Sequence, residues 1–371
     1  MLSEKELEIV QSVLTGMENK GIYFDYQSFK NDVLLPKVDD TKQLMKTICS
    51  KVGRVIDFNS NYDIIKTFNK RGINIQSMSL EWLQENQHKH ELIKLLLNVK
   101  ESMQFINYYG KTIPLSLDDN NHLHGHWNIN GAKTGRMSCK DINLQGIKRI
   151  CRPYFKAHEG NTFIMADYSN IELRILASLS NEKTLIDSFN DGIDVHRLTA
   201  SKIFNLNYDS VSKLQRDVAK KVNFGIVYGV TAYGLQKLLL EEVGKSYSTE
   251  ITEQFRTSFF EAYPKILPYL DSILKDDRYS FIENPNSRIN YPIQSSGAIG
   301  LKKSIVELSK NLRPNWEMVN LIHDEIIMEV PLDDVDTAKE VLVSSMVTGM
   351  KNIVKNVDIK VDVNVNRVWS T

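Results

Sequence analysis

The 371-residue chain balances 46 Lys and Arg against 46 Asp and Glu, and 42% of its residues are apolar. That is ordinary for a soluble globular protein with a large core and more than one subdomain. A globally basic, field-driven nucleic-acid binder is excluded, so any contact with nucleic acid has to come from local clusters.

Cys49, Cys139 and Cys151 form neither a CxxC pair nor a zinc spacing, which fits a reducing cytosol without a disulfide framework. The start, MLSEKELEIV, places acids where a secretory signal needs a basic and then an apolar region. No stretch approaches the ~18 apolar residues of a membrane span. A soluble, cytoplasmic protein with no membrane partner is expected.

Residues 1–20 carry an amphipathic helical pattern that stops before Gly21. Residues 26–112 read as mainly helical. SNYDIIKTFNKRG predicts a short helix capped at Ser60 and closed by Gly72. HELIKLLLNVKESMQFINYYG predicts a longer one ending at Gly110. In HLHGHW, His122, His124 and His126 recur at alternate positions, which puts three imidazoles on one strand face. A four-ligand zinc site usually draws on separated segments, so a polar strand face is the preferred reading. Cys139 and Cys151 read as buried small residues rather than redox thiols. KRICR (148–152) reads equally well as a phosphate contact or a solvated edge.

Beyond residue 112 the pattern changes. TFIMADYS (162–169) is an apolar run that meets an acid, and the helical NIELRILASLS follows it. From Ser180 to about Lys275 the chain reads as mostly helical. WEMVNLI and IIMEVP are strand-like runs flanking His323-Asp324-Glu325, a hairpin with the acids at its turn. The terminal IKVDVNVNRVW alternates Val361, Val363 and Val365 with polar residues, as a half-buried strand does. The fold class is α+β with helical insertions.

Three segments carry the chemistry. In ADYSNIELR, Asp167 ends a strand and Glu172 lies about a helical turn beyond. In QRDVAKKVNFGIVYG, Arg216, Lys220, Phe224 and Tyr228 recur every four residues and form one helical stripe. Two cations followed by two rings suit a triphosphate at one end and a flat base at the other. The third segment is the Asp324-Glu325 turn. Burying an unpaired carboxylate is costly, so acids set in apolar sequence call for a cation. Asp167 and Asp324 could bridge two Mg²⁺ ions ~3.5–4 Å apart, with Mn²⁺ as a substitute. The implied reaction class is nucleotidyl transfer, with Lys220 and Arg216 neutralising the triphosphate.

In this order the segments resemble motifs A, B and C of the family A, polymerase I-like DNA polymerases. TGRMSCKDINLQG (134–146) is similar to the family's TGR…NLQ segment, RINYPIQSSGA (288–298) to its minor-groove helix, and DVHRLTA (194–200) to its phosphate-reaching fingers segment. The resemblance implies a right-hand polymerase fold, with an antiparallel palm sheet, helical fingers and a small helical thumb. Residues 1–25, 113–180 and 285–371 would be palm, 26–112 a reduced thumb and 181–284 fingers.

The resemblance further implies roles. Asp167 and Asp324 would be the metal ligands, with Glu325 beside them as a ligand or as a support. Arg216, Lys220 and His196 would grip the triphosphate, Lys220 also serving as proton donor to pyrophosphate. Phe224 and Tyr228 would pack on the nascent pair, and Glu172 would close the space a ribose 2′-OH needs. Arg136, Asn143, Gln145, Asn290, Gln294 and His323 would face DNA, the minor groove offering acceptors common to both pair orientations. Primer-template or single-stranded DNA and dNTPs are the expected partners.

Two departures matter. No exonuclease segment precedes the resemblance, so no proofreading is expected. DDRYSFIENPNSRINYPIQSS lacks the family's Gly-Tyr-Val…Gly-Arg-Arg element, and the thumb-like region has lost most of its basic helix. Fewer phosphate contacts imply weaker, more salt-sensitive DNA binding, hence low processivity and a small DNA-binding accessory protein or helicase as partner. Three other readings stay open. One is a primase-like enzyme starting chains de novo, and another a non-catalytic DNA-binding scaffold. The third, a metal-dependent phosphohydrolase, has no use for the aromatic stripe. Replication, repair and a mobile element are equally compatible contexts.

Overall fold

The computed structural model describes residues 2–370. The chain divides into two compact units. The first holds the chain up to Asn19, His126–Gln145 and Glu159–Asn366, and the second holds Lys20–Gly125, Gly146–His158 and the chain from Arg367 onward.

The first unit is built on a four-stranded antiparallel sheet. Its strands are β1 (Asn161–Tyr168), β2 (Glu317–Ile322), β3 (Glu325–Pro331) and β4 (Val361–Asn366), in the order β2-β3-β1-β4. β1 and β3 carry the apolar runs 163–166 and 326–328, buried on both faces as befits the two central strands. β4 pairs on one side only, with β1. That edge position explains why its alternation buries so little: Val365 is 40% exposed. Register places Asp167 opposite both Glu325 and Asp362. The end of β1, the β2–β3 turn and the start of β4 therefore meet at one end of the sheet.

Five helices bear on that end: α1 (Ile171–Ser180), α2 (Val195–Ile203), α3 (Lys213–Val227), α4 (Pro285–Ser309) and α5 (Val335–Lys351). α4 packs along α5, and α5 packs on the sheet. The Tyr168 hydroxyl joins all three elements, within 2.6 Å of Ser304 Oγ on α4 and donating to the Met346 carbonyl of α5 at 2.6 Å. α3 starts on a capping box, with Ser212 and Gln215 satisfying each other's backbone N–H groups. Helices Glu4–Lys20, which runs to the edge of this unit, Lys183–Asn190, Ala232–Val243, Thr249–Ala262 and Ile266–Leu274 make up the rest of its α-helical part.

In the second unit, helices Leu35–Val52, Asn61–Asn69, Leu80–Asn86 and Glu91–Asn107 enclose a core of Ile48, Val52, Phe68, Leu83, Leu96 and Val99. Ser60 caps its helix by accepting from the Asp63 N–H, and Gly72 takes a left-handed φ of 77° just past the end. The long helix does not stop at Gly110. It continues through a wide turn, Tyr108–Thr112, into Ile113–Leu115. Buried Tyr109 and Ile113 extend its apolar stripe. In KRICR, Lys148 lies over the Phe105 ring and Arg152 over Trp369, so two of its three cations pack on aromatic rings, while Arg149 is exposed.

HLHGHW is not one strand. His122 lies in a two-residue strand of the second unit and His126 in a separate strand of the first, with Gly125 between them. The His122 ring stacks on His158, and His124 pairs with Asp118 at 3.2 Å. Cys139 and Cys151 are buried, and burial pushes their thiols up to about 11 and 12. No helix among the described residues is long and apolar enough to cross a membrane.

Candidate active site

Asp167 is the exposed residue in an otherwise buried strand. β2 and β3 are joined by the two-residue turn His323-Asp324, with His323 in the left-handed region at φ 54°. Imidazole is among the few side chains that tolerate this conformation. The turn brings Asp324 to the Asp167 end of the sheet, while Glu325, the first residue of β3, is buried. Although the residue is open to the cavity, the protein around its carboxylate partly excludes water, and that desolvation, then the charges of Asp324, Glu325 and Asp362, pushes Asp167 up to about 7. Burial pushes Asp324 up to about 6, with Glu172 adding to the rise and Arg136 opposing it. Two carboxylates thus share a site in which full ionisation is uncompensated.

These two acids open into a cavity of about 480 Å³, whose wall carries the whole α3 stripe of Arg216, Lys220, Phe224 and Tyr228. Arg216 Nε donates to Asp194 Oδ2 at 2.6 Å, and the other oxygen of Asp194 caps α2 by accepting from the His196 and Arg197 N–H groups. The Lys220 ammonium lies 6.0 Å from the Phe224 ring centre. Tyr228 is 39% exposed at the end of α3, and its hydroxyl is pushed up to about 12, by burial first and then by Glu172.

His196 also reaches this wall but is only 2% exposed. Its Nε2 lies 2.8 Å from Asn170 Oδ1 and its Nδ1 2.7 Å from Asn223 Nδ2. Burial and the nearby Arg216 push it down to about 4. It is therefore a neutral hydrogen-bonding ring and not a cation.

Glu172, at 9% exposure, accepts from Arg136 at 2.6 Å. A second cavity of about 290 Å³ adjoins the first through these two residues, His323 and Asp324, and Gln145 and Gln294 also line it. Two residues expected to face DNA line neither of these two cavities. Asn290 is 4% exposed and donates to the Val227 carbonyl at 3.1 Å, tying α4 to the end of α3. Asn143 is exposed, and its Oδ1 accepts from the Gln145 N–H. Asp362 was missed by sequence reasoning. The alternation of β4 gave it a polar side, but only the register shows that it opposes Asp167.

Among the described residues, no group of three or more His, Cys, Asp or Glu side chains is arranged to hold a metal ion. A cation at Asp167 and Asp324 would therefore be completed by water or substrate oxygens, the coordination Mg²⁺ favours.

The family description "DNA polymerase family A" matches residues 36–283 and 278–371. The chain belongs to DNA polymerase family A. The DNA polymerase I of Aquifex aeolicus is 36% identical over 256 residues, covering 65% of this chain and 45% of that protein. That of Chloroflexus aurantiacus is 29% identical over 407 residues, covering 97% and 42%. The chain thus spans less than half the length of these curated relatives. Among solved structures, the polymerase domain of Pol1 from M. smegmatis, in complex with DNA primer-template and dNTP, superposes with a TM-score of 0.83. Its identity is 24%, over 98% of this chain and 70% of that one. The likeness establishes the right-hand polymerase fold of the family.

Proposed function

We propose that this family A chain is a template-directed DNA polymerase that transfers a nucleotidyl group from a dNTP to a primer 3′-OH. The observation that carries the reading is one cavity holding both Asp167 and Asp324, each with a raised pKa, beneath the Arg216–Lys220–Phe224–Tyr228 stripe. The carboxylate pair fits hard divalent cations, and two Mg²⁺ ions held there would supply Lewis-acid activation of the attacking hydroxyl and charge relief on the leaving pyrophosphate.

The remaining work falls to side chains. Arg216 and Lys220 hold the triphosphate, and the Lys220 ammonium can deliver a proton to pyrophosphate as it leaves. His196 contributes a neutral hydrogen bond at the same end. Phe224 and Tyr228 pack the nascent base pair. Glu172, held by Arg136, closes the space a 2′-OH requires. Arg136, Gln145, Gln294 and His323 line the adjoining cavity as the groove-facing set, and Asn290 acts from beneath by fixing Val227. In this reading residues 1–25, 113–180 and 285–371 serve as palm, 181–284 as fingers and 26–112 as a reduced thumb. Processivity is low without an accessory DNA-binding protein, and the protein works in the cytoplasm.

Primer extension with Mg²⁺ tests the reading. Wild-type protein should extend a primed template with dNTPs, and Asp167→Ala and Asp324→Ala should not. Extension that survives both changes defeats it. Incubating unprimed template with dNTPs and rNTPs in parallel separates extension from de novo starts. Primer-template affinity equal to that of a full-length relative at matched salt would overturn the low processivity.

A further inference from the structure

Lys302 lies on α4 and is 3% exposed, yet neither of its hydrogen-bond acceptors is a carboxylate. Its ammonium donates to Asn130 Oδ1 at 2.6 Å and to the Gly135 carbonyl at 2.8 Å. Its neighbour Lys303 behaves in the ordinary way and pairs with Glu6 at 2.8 Å. Burial pushes Lys302 down to about 8, so a cation is being kept where it is costly. Something about those two acceptors offsets that cost.

Both acceptors belong to the segment joining the paired strands His126–Asn128 and Ser138–Lys140. No residue from Gly131 to Arg136 is buried, so apolar packing does not fix this segment. Its internal bonds run from Ala132 N–H to the Arg136 carbonyl and from Gly135 N–H to the Ala132 carbonyl. These shape the turn but tie it to nothing else. Gly135, with φ 78°, presents its carbonyl to Lys302, and the next residue is Arg136, which reaches Glu172.

We propose that Lys302 is a positioning residue for sugar selectivity: it clamps the Asn130–Gly135 segment so that Arg136 is held on Glu172. The inference rests on the polymerase reading for its consequence and on geometry alone for the clamp. A guanidinium displaced from Glu172 leaves that carboxylate free to swing, and a gate that swings admits a 2′-OH. The effect should fall on selectivity and nucleotide KM, not on the rate at saturating dNTP.

The experiment compares wild type, Lys302→Met, Asn130→Ala and the double variant. Asn130 is exposed, so its truncation leaves the core intact even if Lys302→Met folds poorly. Relative incorporation of rNTP over dNTP should rise roughly five- to tenfold in Lys302→Met, the upper scale of one ordinary hydrogen bond. Asn130→Ala should show a smaller rise of the same kind, and the double variant should be no worse than Lys302→Met. Amide exchange across residues 129–136 should quicken in both single variants while β1 and β3 stay protected. Unchanged selectivity in folded Lys302→Met, or unchanged exchange in the segment, overturns the proposal. A wild type that extends no primer defeats the polymerase reading and the selectivity half with it, and the exchange measurement still decides the clamp.

Discussion

Asp167 stands directly across from Glu325 in the register of β1 and β3, and Asp324 precedes Glu325 in the turn. Strand pairing therefore places these acids together before any ligand arrives. Asp167→Asn and Asp324→Asn should each lower primer extension on the order of a hundredfold or more, since each removes a direct ligand of the proposed ions. A gel-based extension assay at fixed Mg²⁺ checks this. Near-wild-type rates in both would place the chemistry elsewhere.

The same acids predict an unusual pH dependence. The pKa of each is raised in the folded state, to about 7 and about 6 from 3.8. Between those values the folded state binds more protons than the unfolded one. Their contribution to stability is thus full below about pH 4 and is lost as the pH rises through 7. Melting in EDTA should show the midpoint falling as the pH rises from about 4 to 7, the window of those shifts, with Mg²⁺ restoring part of the loss. Asp167→Asn should flatten the slope. Extension, which needs the ionised pair, should rise over the same window. A melt that improves from about pH 4 to 7 in EDTA would refute this account.

Arg216 donates to Asp194 at 2.6 Å, so a triphosphate has to compete for it. Asp194→Asn keeps a good N-cap for α2 while removing the charge. The dNTP KM should fall about two- to fivefold, the scale of a partly exposed ion pair. Arg216→Ala should raise it on the order of tenfold. Steady-state kinetics on a primed template decides, and an unchanged or raised KM in Asp194→Asn would show that the pair does not restrain Arg216.

Much of the site was legible because it rests on short-range regularities. The i, i+4 spacing of Arg216, Lys220, Phe224 and Tyr228 becomes one cavity wall as soon as the segment is helical. An acid after an apolar run becomes a strand-end carboxylate. What escaped depends on tertiary partners. No local pattern tells that Asp362 opposes Asp167, because register is set by the whole sheet. Nor does sequence show that Asn290 spends its amide on Val227, or that His196 is sealed between Asn170 and Asn223. Gly110 looked like a helix stop, but helix ends answer to packing as much as to propensity. The apolar stripe through Tyr109 and Ile113 carried the helix past it.

Gly349 was not singled out by sequence, yet it sets how closely α5 approaches α4. A Cβ there would fall inside the contact shell of the Ser304 backbone N and Cα. One built at Gly300 would meet chiefly the flexible Met350 thioether. Backbone cannot give way as a methionine end can. Gly349→Ala should therefore cost roughly 1–3 kcal/mol by overpacking, and Gly300→Ala distinctly less. Because Ser304 also touches the Tyr168 hydroxyl beside Asp167, prying these helices apart should lower extension as well as stability. Urea melts of both variants, read with primer extension, test the ordering. Equal costs, or a Gly349→Ala protein as stable as wild type, would mean that the helices can separate freely and that their contact does not hold the sheet end in place.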